Sequence, residues 1–297
     1  TGIYSIALLQ RHPALKAISP QASPADMWLG DDFHHNGAFR LSYAFEYATM
    51  MESGKDVKNF EFDRYDTFDW YLSLGPLSAI NRKYLRESIP TWNDYVRHPD
   101  YDAFWKRQTL VPHIRSVKVP TLNVAGWWDQ EDFYGPLTIY EALEKHDTAN
   151  LNYLVVGPWN HGGWTREGTA LGPIPFGTDT AAYFRDEVQA PFFAYFLKDK
   201  GPRAFPEALT FEAGANQWRQ WSQWPPVKET TTVGLYFGPN EELRIGAPPA
   251  AGATGSDSFV SDPAHPVPYR QRPIQPTYFA GGSKWSTWLV EDQRFVD

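Results

Sequence analysis

Apolar and polar positions change their period several times along this chain. Residues 3–10, Ile-Tyr-Ser-Ile-Ala-Leu-Leu-Gln, are apolar on most helical faces and predict a buried helix, which Pro13 closes. Leu15 to Ile18 is a short strand candidate, ended by Ser19-Pro20 and followed by a polar loop carrying Gly30-Asp31-Asp32. From 36 to about 115 aromatic residues fall at helical spacing: Phe39, Tyr43, Phe45 and Tyr47, then Trp70, Tyr71, Trp92, Tyr95, Tyr101 and Trp105. Strand-like alternation is scarce there, so a mostly helical insertion, a cap or lid, is predicted. Val119 to Ala125 then reads as a strand ending at Gly126. Gly135-Pro136 opens a helix to about His146, because proline near the first turn loses no hydrogen bond, and Leu151 to Val156 is the next strand. This strand–helix–strand unit implies adjacent parallel strands with a right-handed crossover. Thr178 to Lys198 predicts a second long helix, stopped by Gly201-Pro202.

After Pro206 the texture changes again. Short runs such as Leu209–Phe211, Thr231–Phe237 and Ser258–Val260 alternate with Pro/Gly turns, which suggests a β-sandwich. The chain stops at Asp297 in mid-pattern, so this second domain is expected to be incomplete. The fold class expected is α/β, with partial α/β units over 1–35 and 116–204, a helical cap over 36–115 and a partial β-sandwich over 205–297.

Composition narrows the function classes. A chain of 297 residues with 42% hydrophobic and 16% aromatic content builds a real core. Its 13 Trp suit an aromatic cleft as well as they suit core filling. The net charge of −8 argues against nucleic-acid binding, which calls for a basic patch, and is compatible with a cationic or amine-bearing ligand. With no Cys there is no thiol nucleophile, disulfide or Cys-based metal site. No apolar run approaches the roughly 18 residues that cross a bilayer, so no membrane partner is expected. The chain has neither a signal peptide nor an initiator Met, so the true N-terminus is expected upstream.

Two segments carry the chemistry: Gly126-Trp-Trp-Asp129-Gln-Glu131-Asp132 and Gly157-Pro-Trp-Asn-His161-Gly-Gly. Asp129 and His161 each follow the carboxyl end of a strand, the edge where open α/β sheets bind ligands. They are 32 residues apart (161 minus 129) but adjacent in space if the strands pair. A general base with an orienting acid is the second and third part of a serine-hydrolase triad, in the chain order Ser, acid, His. Ser5, Ser19, Ser23 and Ser42 have no Gly-x-Ser-x-Gly setting, so the nucleophile is expected to lie upstream. The other seven of the eight His have no distinctive setting. Glu131 and Asp132 crowd one turn with Asp129, and like charges that close raise one another's pKa. A cation relieves that repulsion, and without metal-ligand spacing an ammonium group is preferred to a metal. For Asp31 the plain reading, a solvated loop acid, is favoured.

These residues resemble the α-amino acid ester hydrolases, relatives of cocaine esterase and the X-prolyl dipeptidyl peptidases. The resemblance rests on Trp127-Trp-Asp129-Gln-Glu131-Asp132, Gly157-Pro-Trp-x-His161, Arg11-His-Pro-Ala-Leu-Lys16, Gly30-Asp-Asp32, Gly37-Ala-Phe-Arg40 and Val260-Ser-Asp-Pro-Ala-His-Pro-Val-Pro-Tyr269, and covers nearly the whole chain. It implies an α/β-hydrolase domain, a helical cap and a jelly-roll domain. It also implies Asp129 and His161 as triad acid and base, with Asp32, Glu131 and Asp132 as the cluster that binds a substrate's α-ammonium. The Glu-Asp pair after the triad acid points to the amino-ester branch. The family nucleophile lies in a Gly-x-Ser-Tyr-x-Gly turn whose last two positions Thr1-Gly2 match, so the 297 residues alone are expected to show no turnover. The implied substrate is a small molecule with a free α-amino group. No cofactor is needed, homo-oligomerisation is left open, and a periplasmic or secreted location is suspected from the resemblance alone.

Three rivals stand beside an α-amino acid ester hydrolase. A dipeptidyl peptidase would use the same triad with amide preference. A cephalosporin or glutaryl acylase would prefer an anionic side chain. A carbohydrate-active protein would need two carboxyls about 5 to 9.5 Å apart across a sugar cleft, which leaves the Asp129 and His161 placement without a purpose.

Overall fold

The computed structural model describes residues 12–238, 242–246, 255–256, 258–279 and 282–292; the helix predicted over 3–10 lies outside the described residues. The centre is a four-stranded sheet of β1 (Thr121–Gly126), β2 (Asn152–Gly157), β3 (Ala208–Glu212) and β4 (Gln217–Trp221), in that spatial order. The first three strands are parallel and β4 returns antiparallel. Helices α1 (Leu41–Met51), α2 (Thr67–Leu72), α3 (Pro90–Arg97) and α4 (Ala103–Lys106) precede the sheet. Helix α5 (Tyr134–Glu144) joins β1 to β2, while α6 (Thr180–Tyr183) and α7 (Ala190–Lys198) lead into β3.

Every residue of β1 and β2 is buried, as expected of parallel strands covered on both faces. Alternation along the strands divides the core. Leu122, Val124, Tyr153, Val155 and Leu209 pack with Trp159, Phe184, Val188 and Phe192. Ala125, Leu154, Val156 and Ala208 cluster instead with Tyr140 of α5. The layering is that of an α/β-hydrolase-like fold.

The predicted strand at Leu15–Ile18 is displaced toward its C-terminal end. Isolated bridges pair Ile18 with Thr121 and Gln21 with Val124 on the side of β1 away from β2. Pro20 has no N–H to give, but its carbonyl accepts from Val124 and the Ala22 N–H donates to Val124. The helix predicted over 178–198 is one path with a π turn at Phe184–Gln189 between α6 and α7. The Asp179 carboxylate caps it by accepting from the N–H groups of Ala181 and Ala182, and Asp199 closes it in the left-handed region.

One expectation is overturned. Leu209–Phe211 belongs to β3 of the central sheet, and β4 extends that sheet to Trp221, so the sheet does not end at 204. A short apolar run reads alike in a sandwich and in the interior of an open sheet. The α7 crossover, which returns the chain parallel to β2, makes the difference. Beyond 221 the described residues contain a hairpin, β5 (Leu235–Phe237) with β6 (Leu243–Ile245), and a two-residue pairing of Tyr278–Phe279 with Gly282–Ser283. Ser258–Val260 forms no strand.

Helices α1 to α4 gather a separate aromatic cluster in which Phe45, Trp70 and Trp92 have no exposed surface. From α1 the buried Glu46 carboxylate accepts the N–H groups of Thr277 and Tyr278, at 2.7 and 3.2 Å. Residues far along the chain are thereby pinned beside α1.

Candidate active site

The carboxyl ends of β1 and β2 are built around paired glycines. Gly126 and Gly157 are register partners, and a Cβ on either would collide with Trp159: 2.2 Å from its carbonyl oxygen and 2.4 Å from its indole, respectively. With no side chains in the way, the two following loops continue the pairing. The Trp127 N–H donates to the Gly157 carbonyl (2.9 Å) and the Trp128 N–H to that of Trp159 (3.0 Å). Asp129 and His161 follow immediately and meet.

His161 Nδ1 lies 3.1 Å from both carboxylate oxygens of Asp129. The Asp129 side chain is fully buried, and its Oδ1 also accepts the N–H groups of Glu131 (2.9 Å) and Asp132 (3.0 Å). An acceptor so engaged makes Nδ1 the donor nitrogen. Nε2 is left as the basic nitrogen, 3.7 Å from Glu131 Oε2. His161 and Glu131 line a cavity of about 890 Å³.

Asp32 arrives from another direction. Its loop is held by two buried acids. Asp26 accepts from the Trp28 and Leu29 N–H groups and from the hydroxyls of Tyr101 and Thr109. Asp31 accepts from the N–H groups of Ala25, Asp26 and Gly135. Asp31 is therefore not a solvated loop acid: it is completely buried and fastens the loop to the start of α5. Burial pushes its carboxyl up to about 7 despite those three donors. Asp32 then sits at φ +43° with its N–H donated to the Glu131 carbonyl (2.9 Å).

The structure brings all five predicted residues together, and adds two that the sequence did not single out for a role. Tyr43 of α1 places one hydroxyl proton between Asp32 Oδ1 (2.6 Å) and Glu131 Oε2 (2.9 Å). Arg40 donates to the Asp32 carbonyl (2.7 Å) and lies over the Tyr43 ring. Tyr43 reads in sequence as one more cap aromatic; only the Gly37-Ala-Phe-Arg40 string just before it was a signal.

Burial dominates the electrostatics. It raises the carboxyls of Asp32 and Glu131, against the Tyr43 hydrogen bond and the His161 charge. Asp132 is pushed up to about 11 by burial and then by the charges of Asp32, Asp31, Asp129 and Glu131. Its Oδ2 is 4.0 Å from His161 Nδ1, and its buried Oδ1 has no hydrogen-bond partner among the described residues. Burial alone would lower His161, but the Asp129 hydrogen bond and the charges of Asp129, Glu131 and Asp32 outweigh it and bring the ring to about 9.

With this geometry in hand, the family is decided by the model for X-Pro dipeptidyl-peptidases (S15 family), which matches residues 1–163, more than half of the chain. The chain belongs to the S15 family. Cocaine esterase of Rhodococcus sp. (strain MB1 Bresler) is 26% identical over 280 residues, 86% of this chain and 46% of that protein. Among solved structures, an aminopeptidase from a marine sediment Thaumarchaeota archaeon is 40% identical with a TM-score of 0.89, covering 98% of this chain and 48% of its own. An α-amino acid ester hydrolase is 38% identical, also at 0.89, covering 99% and 48%. The chain thus spans about half the length of these S15 relatives.

Proposed function

We propose that this chain forms the acid–base and amine-recognition half of a serine hydrolase acting on α-amino acid esters. Asp129 orients His161 through Nδ1, and His161 Nε2 takes the proton of a serine hydroxyl as that oxygen attacks the acyl carbonyl. The nucleophile in this reading is a serine hydroxyl, as the Ser, acid, His order of such triads requires. Asp32, Glu131 and Asp132 hold the substrate's α-ammonium and so place the carbonyl for attack. Family relatives named as an esterase, an amino acid ester hydrolase and an aminopeptidase support this class of chemistry.

The observation that carries the ammonium reading is the buried cluster itself. Four carboxylates crowd one imidazole, and the orphaned oxygen of Asp132 is held against them. Burying an acceptor without a donor is unfavourable by about 1–3 kcal/mol. An ammonium group, with three donors and a positive charge, satisfies that oxygen and lets the cluster ionise. Among the described residues no three His, Asp or Glu side chains converge as metal ligands. The exposed apolar residues of the β5–β6 hairpin, Leu235, Phe237, Leu243 and Ile245, suit strands of a jelly roll whose facing sheet would cover them.

Comparison of phenylglycine methyl ester with phenylacetate methyl ester tests this directly in the full-length protein. A preference in kcat/KM of about 100-fold, or 2.7 kcal/mol, is expected for the amine. Equal rates would reduce the cluster to a structural feature. A dipeptidyl peptidase would show the same amine dependence with amides favoured over esters.

The pH profile follows from the same electrostatics. Catalysis needs neutral His161, so kcat/KM for the phenylacetate ester should rise with pH through about 9 and level off only above it. The phenylglycine ester loses its charge around the α-amino pKa of about 7.7–8.0, so its profile should peak between about pH 8 and 9. The bound ammonium repels a proton on His161, so the apparent pKa in kcat should fall below that in the phenylacetate profile. An unshifted or higher pKa in kcat would contradict the cluster as the ammonium's place. The sign for stability is opposite: a folded-state pKa raised above the ordinary imidazole value stabilises the fold below about pH 6.5, and that contribution fades as pH rises through about 9.

A further inference from the structure

The cavity that starts at His161 and Glu131 carries the opposite charge elsewhere on its lining. Arg166 and Lys58 both contribute to it. Arg166 stands five residues after His161 (166 minus 161), and its backbone is firmly held. Its N–H donates to the Gly163 carbonyl at 3.2 Å. The Arg185 guanidinium, from the π turn between α6 and α7, donates to the carbonyls of Trp164 and Arg166 at 2.9 and 2.8 Å. The Arg166 side chain itself, on that anchored turn, is exposed and makes no ion pair or hydrogen bond among the described residues. Lys58 likewise has no ion pair among the described residues, although Glu61 shares the lining and offsets some of its charge. Arg166 is therefore the residue that matters. A guanidinium presents a planar fork that matches a carboxylate with two parallel hydrogen bonds. One cavity thus has the Glu131 carboxylate beside the basic His161 nitrogen and an uncommitted guanidinium on another part of its wall.

We propose that Arg166, assisted by Lys58, is a subsite for a carboxylate on the departing half of the substrate. The site then takes zwitterions: aminoacyl compounds with a free α-ammonium for the Asp32, Glu131 and Asp132 cluster and an anionic leaving group for Arg166. Peptides with a free C-terminus are the simplest of this class. The assignment rests on the ammonium reading above, and adds to it the far end of the substrate.

The test is calorimetric titration of the full-length protein with a ketomethylene isostere of phenylglycyl-alanine, which has no scissile bond. Its C-terminal amide and its N-acetyl form are titrated alongside. The acid should bind about tenfold more tightly than the amide, or about 1.4 kcal/mol. Arg166→Ala should abolish that difference while leaving the dissociation constant of the amide within about twofold, and Arg166→Lys should keep part of it. Acid and amide binding alike in the unaltered protein would overturn the subsite. So would equal weakening of both by Arg166→Ala, which would make Arg166 a shaper of its loop. Absence of binding by all three ligands would reject the cavity as a substrate site altogether. An N-acetyl form that binds as tightly as the free amine would overturn the ammonium reading instead, and the acid–amide comparison would still decide the subsite.

Discussion

Asparagine in place of Asp129 is expected to lower kcat by about four orders of magnitude, the loss that follows when a triad imidazole is held in the wrong tautomer. The local geometry leaves little escape. Asp129 Oδ1 already accepts the N–H groups of Glu131 and Asp132, so the amide oxygen of Asn must take that place. Its NH₂ then occupies the position of Oδ2, 3.1 Å from His161 Nδ1. Two donors cannot face each other, so Nδ1 gives up its proton and Nε2 carries it. Nε2–H cannot accept a serine proton. The same change removes a charge and a hydrogen bond that raise His161, so the rising limb of the pH profile should move below 9. Steady-state kinetics on the full-length protein, with circular dichroism to show that the variant folds, would settle this. Activity within tenfold of the unaltered protein would remove Asp129 from the proposed triad.

The second large effect concerns selectivity. Asp32→Asn should erase most of the roughly 100-fold preference for an α-amino ester while leaving the plateau rate of the deaminated ester almost untouched, its rising limb moving below 9 as the Asp32 charge on His161 is lost. Asn has the same shape, still accepts from the Tyr43 hydroxyl, and tolerates the left-handed backbone at φ +43° better than most residues. What disappears is one negative charge. At an effective dielectric near 20, a charge pair at 4 Å is worth about 4 kcal/mol before desolvation is subtracted, enough to cover a 100-fold change. The ammonium is bound in ground and transition states alike, so the loss should fall mainly on KM. Parallel decline for both esters would mean that Asp32 shapes the loop and does not read the amine.

The parts of the site that could be read in advance are those written in local sequence. Strands β1 and β2 are continuous apolar runs bounded by glycine, and the intervening Gly-Pro opens a helix, so parallel pairing follows with few alternatives. Once the strands pair, Gly126 meets Gly157, and Asp129 and His161 are neighbours whatever the rest of the chain does. Aromatic residues at helical spacing likewise foretold helices between 41 and 106, because periodicity is a property of neighbouring residues.

Other features arise from contacts between distant residues, and no local pattern carries them. Asp31 and Asp32 are adjacent acids with the same immediate surroundings in sequence. Only the approach of α5 turns the first into a buried clamp on Gly135, and only the approach of Tyr43 and Glu131 turns the second toward the cluster. Leu209–Phe211 alternates as a sandwich strand would, and the α7 crossover alone sends it to the central sheet. Burial decides the chemistry in the same way. The carboxyls of Glu131 and Asp132 are ordinary acids in an unfolded chain. The folded environment removes their water and sets them beside Asp129 and His161, which raises them and leaves one oxygen of Asp132 without a donor. Residue types and spacing determined the acid–imidazole pair, because strand pairing needs only neighbours in the chain. Tertiary packing decided which carboxylates stay dry and what they face, because desolvation depends on every segment that closes over them.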